Sequence, residues 1–175
     1  MMPIAARAAV FLFLTFVALP VAGPVAEPLP RLIVMEPEFD GDTSDVGRRA
    51  EWQARLGLLA DRATAELSAQ ALYDVLDPAA AEAEFAKHRR RAGVHACDVC
   101  ARGVARAADA DRVLSLRVFR LSNLVLSLHG IVRDGRSGTV RYVRVLDFRG
   151  DNDRSWLRAA DYLIRDLAKL PPGRR

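Results

Sequence analysis

The strongest pattern in the chain is a two-residue alternation between Asp111 and Arg149. Leu114, Leu116 and Val118 fall on one face of a strand, while Val113, Ser115, Arg117 and Phe119 fall on the other. Ser122-Asn123 tolerates a tight turn, after which Leu124, Leu126, Leu128 and Val132 alternate with Val125, Ser127, His129 and Ile131. Asp134 to Gly138 reads as a loop with two glycines able to take positive φ, and Thr139 to Phe148 returns with β-branched and aromatic residues. Connections this short join only antiparallel neighbours, so the pattern predicts a three-strand meander.

Upstream, the period changes. Leu32-Ile33-Val34-Met35 is a short apolar run consistent with a buried strand, ended by Glu36-Pro37 because proline cannot donate to a central ladder. An acidic loop, residues 36–45, leads into a helix over about Glu51 to Leu72, with Trp52, Leu56, Leu59, Ala60, Ala63, Leu67 and Ala71 on its buried stripe. Arg55, Asp61, Arg62 and Glu66 lie off that stripe. Tyr73 to Asp77 predicts a second strand, parallel to the first because a helical crossover separates them. Pro78 to His88 suits a helix with proline in its first turn, Gly93 breaks it, and Cys97 to Ala108 forms another helix with Cys100 or Ala101, Val104 and Ala108 inward. The last helix is capped by the Asn152-Asp153 region and buries Trp156, Ala159, Ala160, Leu163, Leu167 and Leu170. The expected fold class is α/β (α+β): a single mixed sheet with a C-terminal antiparallel three-strand meander and helices packed on the sheet.

The N-terminus adds a compartment. Arg7 precedes an apolar run, Ala8 to Leu19, of roughly 12 residues, too short for the ~20 of a membrane-spanning helix. Pro20 and the small residues Val21-Ala22-Gly23 follow, which is the order of a cleaved secretory signal. The expected organisation is a signal peptide over residues 1–23, with cleavage as late as 26, a linker over 24–30, one secreted α/β domain over 31–170 and a tail over 171–175. About 150 residues remain after the signal, enough for one core.

Charge narrows the partners only a little. The chain carries 26 Lys and Arg against 22 Asp and Glu, a net +4, and its only lysines are Lys87 and Lys169. A mildly basic secreted chain can meet anionic lipid, peptidoglycan or acidic proteins. The arginines are spread rather than clustered, which disfavours nucleic acid. The one local run, Lys87-His88-Arg89-Arg90-Arg91, suits a solvated helix C-terminus, where cations meet the negative end of the dipole.

Three groups carry candidate chemistry. Cys97 and Cys100 should pair as a disulfide in an oxidising periplasm; at a helix start the first thiol would also have a lowered pKa, as in thiol-redox sites. No histidine follows Cys100, which excludes covalent haem attachment on the motif. Asp40, Asp42, Ser44 and Glu51 stand at positions one, three, five and twelve of an EF-hand-like register, a candidate cation set. Its sixth position is Asp45 rather than glycine, and a solvated loop near a helix N-terminus explains the same letters. The identity of any metal is open. His88, His95 and His129 could act only if folding gathers them; His129, between Ser127 and Ile131, is expected as a partly buried, hydrogen-bonded histidine. No Ser-His-Asp order, phosphate-binding glycine loop or HExxH appears.

The order of elements, with Glu36-Pro37-Glu38-Phe39 after the first strand, Ala108-Asp-Ala-Asp-Arg-Val-Leu114 entering the meander and Val132-Arg-Asp-Gly-Arg-Ser-Gly-Thr-Val140 at its second hairpin, resembles the superfamily of TolB N-terminal and CsgG-like domains. Similar domains tend to have a small residue inside the first meander strand, where this chain has Leu116. More narrowly, Cys97-x-x-Cys100 and Arg149-Gly-Asp-Asn-Asp-Arg-Ser-Trp156 resemble a family of uncharacterised secreted proteobacterial proteins. The resemblance implies a periplasmic, non-enzymatic adaptor or assembly module without a cofactor, accessory in the narrower family to a quinoprotein dehydrogenase system. It would contact a protein partner or small ligand, with membrane-surface contact allowed and no nucleic acid. The alternative is a periplasmic thiol-redox or metal-handling factor using Cys97 and Cys100 or the acidic loop 36–45.

Overall fold

The computed structural model describes residues 28–171 except Arg90. The expected signal segment, the start of the linker, Arg90 of the basic run and residues 172–175 of the tail lie outside the described residues. The chain runs β1 (Arg31–Val34), β2 (Glu38–Gly41), α1 (Arg49–Ala69), β3 (Asp74–Val75), α2 (Glu82–His88), α3 (Asp98–Ala108), β4 (Arg112–Arg120), β5 (Val125–Asp134), β6 (Val140–Arg149) and α4 (Asp153–Ala168). One mixed sheet in the order β3-β1-β4-β5-β6 organises them, with β2 as a further partner of β4. β1 pairs in parallel with β3 and β4, and β4-β5-β6 is the antiparallel meander.

Each face of the sheet has its own core, as strand alternation requires. On one side α1 and α4 cover Leu32 and Val34 of β1, Leu114, Leu116 and Val118 of β4, and Leu126, Leu128 and Val132 of β5. Trp52, Leu56, Leu59, Ala63 and Leu67 come down from α1, and Trp156, Ala160, Leu163, Ile164 and Leu167 from α4. On the other side α2 and α3 pack Phe85, Cys100, Ala101, Val104 and Ala105 onto Ile33, Met35 and Val113. That second core stops at the first half of β4, which leaves one side of the sheet only partly covered.

The local chemistry explains the element ends. Asp77 caps the turn at Pro78 by accepting from the Ala79 N–H, and Asn152 caps α4 by accepting from the Ser155 N–H. Gly93 takes φ +77° after α2. Close packing falls on β5: a Cβ on Gly130, the partner of Leu116, would lie 2.6 Å from the Leu163 side chain of α4. Leu116 itself is buried and fills the core beside Gly130.

Several expectations need correction. The acidic stretch 36–45 is not wholly loop, since Glu38–Gly41 pairs in parallel with Arg117–Arg120. β1 ends early, which leaves the second half of β4 unpaired on that side, and Phe39 anchors the new strand by stacking 4.7 Å from Trp52 and 5.8 Å from Trp156. Leu124 lies in the β4–β5 turn, 69% exposed, because the Leu121 and Ser122 N–H groups both donate to the Val125 carbonyl and close the turn before it. α1 ends at Ala69, so Ala71 stands outside it with φ +48° and is exposed. Arg55 is buried rather than off the stripe. Of the two loop glycines only Gly138 takes positive φ; Gly135 is needed for space, since a Cβ there would meet the Ala110 carbonyl oxygen at 2.3 Å.

Candidate functional site

Strand β4 divides two charged clusters by alternation alone. Arg120 turns toward α1 and α4, where Asp151 in the β6–α4 loop is the centre, its side chain 2% exposed. Asp151 accepts from the indole N–H groups of Trp52 (2.9 Å) and Trp156 (3.1 Å) and from Arg55 Nη1 (3.0 Å). Arg48 Nη1 lies 3.0 Å and Arg120 Nε 3.6 Å away. Arg55 also pairs with Asp153 at 2.8 Å and with Glu51, and Arg48 bonds Glu51 at 2.8 Å. Arg48, with Arg55 behind it, holds the Glu51 carboxyl down to about 2. A buried carboxylate needs this many donors to offset its desolvation.

Arg117 and Phe119 turn the opposite way, onto the uncovered side. There Arg117, His129 and Val145 stand abreast on β4, β5 and β6, with Phe119, Ser127 and Asp147 as the next row and Ser115, Ile131 and Val143 as the previous one. β2 adds Glu38 beside Arg117 and Asp40 beside Phe119. The turn before α3 brings His95 within 6.5 Å of His129, ring centre to ring centre. Glu38 Oε1 accepts from the His95 backbone N–H at 2.6 Å, and Oε2 accepts from the Gly93 N–H at 3.2 Å and lies 3.2 Å from His95 Nδ1. That carboxylate ties the turn to the sheet.

His129 Nε2 lies 3.0 Å from Ser127 Oγ, a spacing that invites a nucleophile–base reading. The group on the other side of the ring is a cation: Arg117 Nη2 is 3.1 Å from Nδ1 and 3.4 Å from Nε2, nearly equidistant, and so lies over the ring edge. Burial, Arg117 and then His95 push the His129 pKa below its ordinary value. A base oriented by a carboxylate would be made more basic, and this imidazole is made less so. Arg117 itself is lightly matched, with Asp40 at 3.4 Å and a buried Nε that has no hydrogen-bond partner. The arrangement suits contact with polar and apolar groups of another molecule more than proton transfer.

β6 borders this face and is the outer strand, with no strand beyond it among the described residues. Val143 is 61% and Val145 50% exposed. The Gly150 N–H donates to the Leu124 carbonyl at 3.3 Å, which makes Val125–Arg149 a non-hydrogen-bonded pair of the ladder. Counting back, Phe148, Leu146, Arg144 and Tyr142 bond inward to β5, and Arg149, Asp147, Val145 and Val143 turn their N–H and C=O groups outward. On the α4 side of the same edge lies a groove of about 560 Å³ lined by Arg144, Phe148, Ser155, Arg158, Ala159 and Tyr162 among others.

Residues singled out from sequence are partly gathered. Cys97 and Cys100 form a disulfide, S–S 2.02 Å, with Cys97 as the N-cap of α3 and Cys100 buried. The four candidate cation ligands do not converge. Asp40 faces Arg117, Asp42 pairs with Arg120 at 2.8 Å and with Ser44 at 2.6 Å, and Glu51 belongs to Arg48 and Arg55. Hydrogen bonds from Ser44, with Arg120 behind them, lower the Asp42 pKa. Among the described residues no group of three or more His, Cys, Asp or Glu could hold a metal ion. His88 lies apart beside Glu84 at 3.3 Å. No described helix is long and apolar enough to cross a membrane. Sequence reasoning gave no role to Glu38, Arg117 or Asp151; the available signal was that Arg117 sits at a polar position of an alternating strand.

The fold and its half-covered sheet define a small α/β domain with an exposed strand edge. The chain belongs to the family DUF3280, described as "Protein of unknown function (DUF2380)", whose model matches residues 31–167. No functionally curated protein matches it. Among solved structures it is similar to the lipoprotein GNA1162 of Neisseria meningitidis, at 19% identity and TM-score 0.47 over 80% of this chain and 97% of that one. It is also similar to PelC of Paraburkholderia phytofirmans, solved as a dodecamer, at 18% identity and TM-score 0.47 over 84% and 90%. The C-terminal domain of LpoB from Salmonella enterica shares 12% identity and a TM-score of 0.43 over 70% and 84%.

Proposed function

We propose that the protein is an exported, non-enzymatic binding module of the cell envelope that contacts a protein partner through the open side of its sheet. The observation that carries this reading is the half-covered sheet: the core under α2 and α3 takes in no residue of β5 or β6, and Val143 and Val145 stay exposed on that side, next to Ile131 and His129. Exposed apolar side chains interleaved with polar and charged ones are what a protein contact surface presents. The secretory order of residues 1–26 and the oxidised Cys97–Cys100 pair agree with an envelope location. Kinship with TolB N-terminal and CsgG-like domains, and service to a quinoprotein dehydrogenase system, are the finer parts of the proposal.

The test is affinity capture from native periplasm with the wild type and with a Phe119→Glu/Val143→Glu variant whose circular dichroism is unchanged. The reading predicts one protein retained by the wild type and lost by the variant, and a dehydrogenase subunit would be the specific catch if the finer assignment holds. Equal capture by both forms would remove the open face from the account. A second reading, thiol-redox, is favoured by one observation: Cys97 is only half-buried and its sulfur accepts the Cys100 N–H at 3.1 Å at the start of α3, where a thiolate would be stabilised. Ready reduction by mild dithiol with the fold intact would support it, and resistance would not.

A further inference from the structure

We infer that the β6 edge takes an extended acidic segment of a partner protein as an added strand. This rests on the binding-module reading above and names the chemistry of its partner.

β6 is ten residues long and has no neighbour on its outer side among the described residues. Edges of this kind are normally blunted by charged side chains, proline, a bulge or a covering helix, and the charges on β6 are Arg141, Arg144, Asp147 and Arg149. β6 contains no proline, and the bulge of the β5–β6 ladder lies at its very start, between Val132 and Arg133 of β5. Its outward backbone groups belong to Val143, Val145, Asp147 and Arg149, so an incoming strand would bond those residues.

Side-chain alternation then specifies what the segment carries. Incoming residues opposite Val143 and Val145 would lie on the open face, where those valines leave apolar surface exposed. Residues between them would point to the α4 side, into the groove lined by Arg144, Arg158 and Tyr162. Arg144 is only loosely held, by Asp166 at 3.5 Å, and Arg158 is exposed. Of the charged residues along the groove, alternation sends Asp147 and Arg149 to the open face and leaves Arg144 and Arg158 on the α4 side, so that side of the edge is positive. An antiparallel second copy centred on Arg144 would set that arginine against itself, which disfavours that register and favours a carboxylate opposite it. The occupant is therefore a strand alternating acidic and apolar residues, bound by backbone ladder bonds for affinity and by alternate side chains for choice.

The test is fluorescence anisotropy of the purified protein with a labelled peptide as long as β6 alternating Glu and Val, beside a control alternating Lys and Val. The expected result is binding of the Glu/Val peptide only, weakened by salt, and reduced about tenfold by Arg158→Glu, the loss of one charge-assisted contact. Val145→Pro, which deletes an outward N–H, should also abolish binding. Should that variant unfold, the Arg158→Glu comparison stands alone, because Arg158 is an exposed helix residue. Equal binding of both peptides, or no effect of Arg158→Glu, would overturn the acidic specificity, and no binding would overturn the edge site. Capture that depends on Phe119 and Val143 while the peptide fails would leave the binding-module reading intact; peptide binding with capture insensitive to the open face would do the reverse.

Discussion

The two faces of β4 carry charge in opposite ways. Toward α1 and α4, the buried Asp151 is enclosed by two indoles and three arginines, and its carboxylate is matched within the cluster. Toward solvent, Arg117 and His129 lie against each other, with Asp40 3.4 Å from Arg117 and Asp147 in the row next to His129. The first cluster spends its charge on holding the β6–α4 loop against α1. The second retains unmatched capacity beside exposed valines, which is the expected signature of a surface that is completed by a partner. The contrast can be tested by removing groups from each side.

The largest effect should come from Asp151→Ala, which leaves Arg55 and Arg120 buried without their shared anion. A loss of about 3–5 kcal/mol in urea denaturation is expected. A loss under about 1 kcal/mol would mean that the arginines re-pair with Glu51, Asp153 and Asp42, and that the hub is not central.

The cysteine pair should come next. Cys97→Ser/Cys100→Ser opens a very short loop, for which chain entropy gives about 2 kcal/mol, again read from urea midpoints. Because Glu38 grips the turn at Gly93 and His95 just before this disulfide, the variant should also loosen His95 from the open face. A change in the His95 NMR shifts would show this.

Much of this division was legible in the alternation of β4 and β5. Leu114, Leu116 and Val118 against Arg117 and Phe119 sets the two faces, and His129 beside Ser127 was readable as a partly buried, bonded histidine. β2 was not readable, because Glu38-Phe39-Asp40-Gly41 has one apolar residue and low β propensity, and forms only since Trp52 and Trp156 from distant helices receive Phe39. Arg55 looked like a solvent position on α1 because its anions, Asp151 and Asp153, are supplied from the far end of the chain. His95 was unplaceable for the same reason: its neighbour His129 is fixed by the sheet, and the contact is tertiary.

On the open face, stability effects should be small. Arg117→Gln is expected to cost no more than about 1 kcal/mol, since its ion pair with Asp40 is long and exposed. A larger loss would make Arg117 a structural residue like Arg120 and weaken the contrast.

The smallest effect should be a pH slope from His129. Its folded pKa is below the unfolded value near 6.5, so the folded state binds fewer protons in the window beneath that value. Stability should thus decline as pH is lowered from about 6.5 through the folded pKa, and His129→Gln should flatten that part of the profile. An unchanged slope in the variant would show that burial and Arg117 together do not hold the imidazole pKa down.

The measurement that tests the central claim most directly is residue-resolved amide hydrogen exchange along β6, in the free protein and with the captured partner bound. In the free protein the amides of Tyr142, Arg144, Leu146 and Phe148 should be protected and those of Val143, Val145 and Asp147 should exchange quickly; on binding, the second set should become slow. Protection of Val143, Val145 and Asp147 already in the free protein, or their continued fast exchange in the complex, would contradict the account.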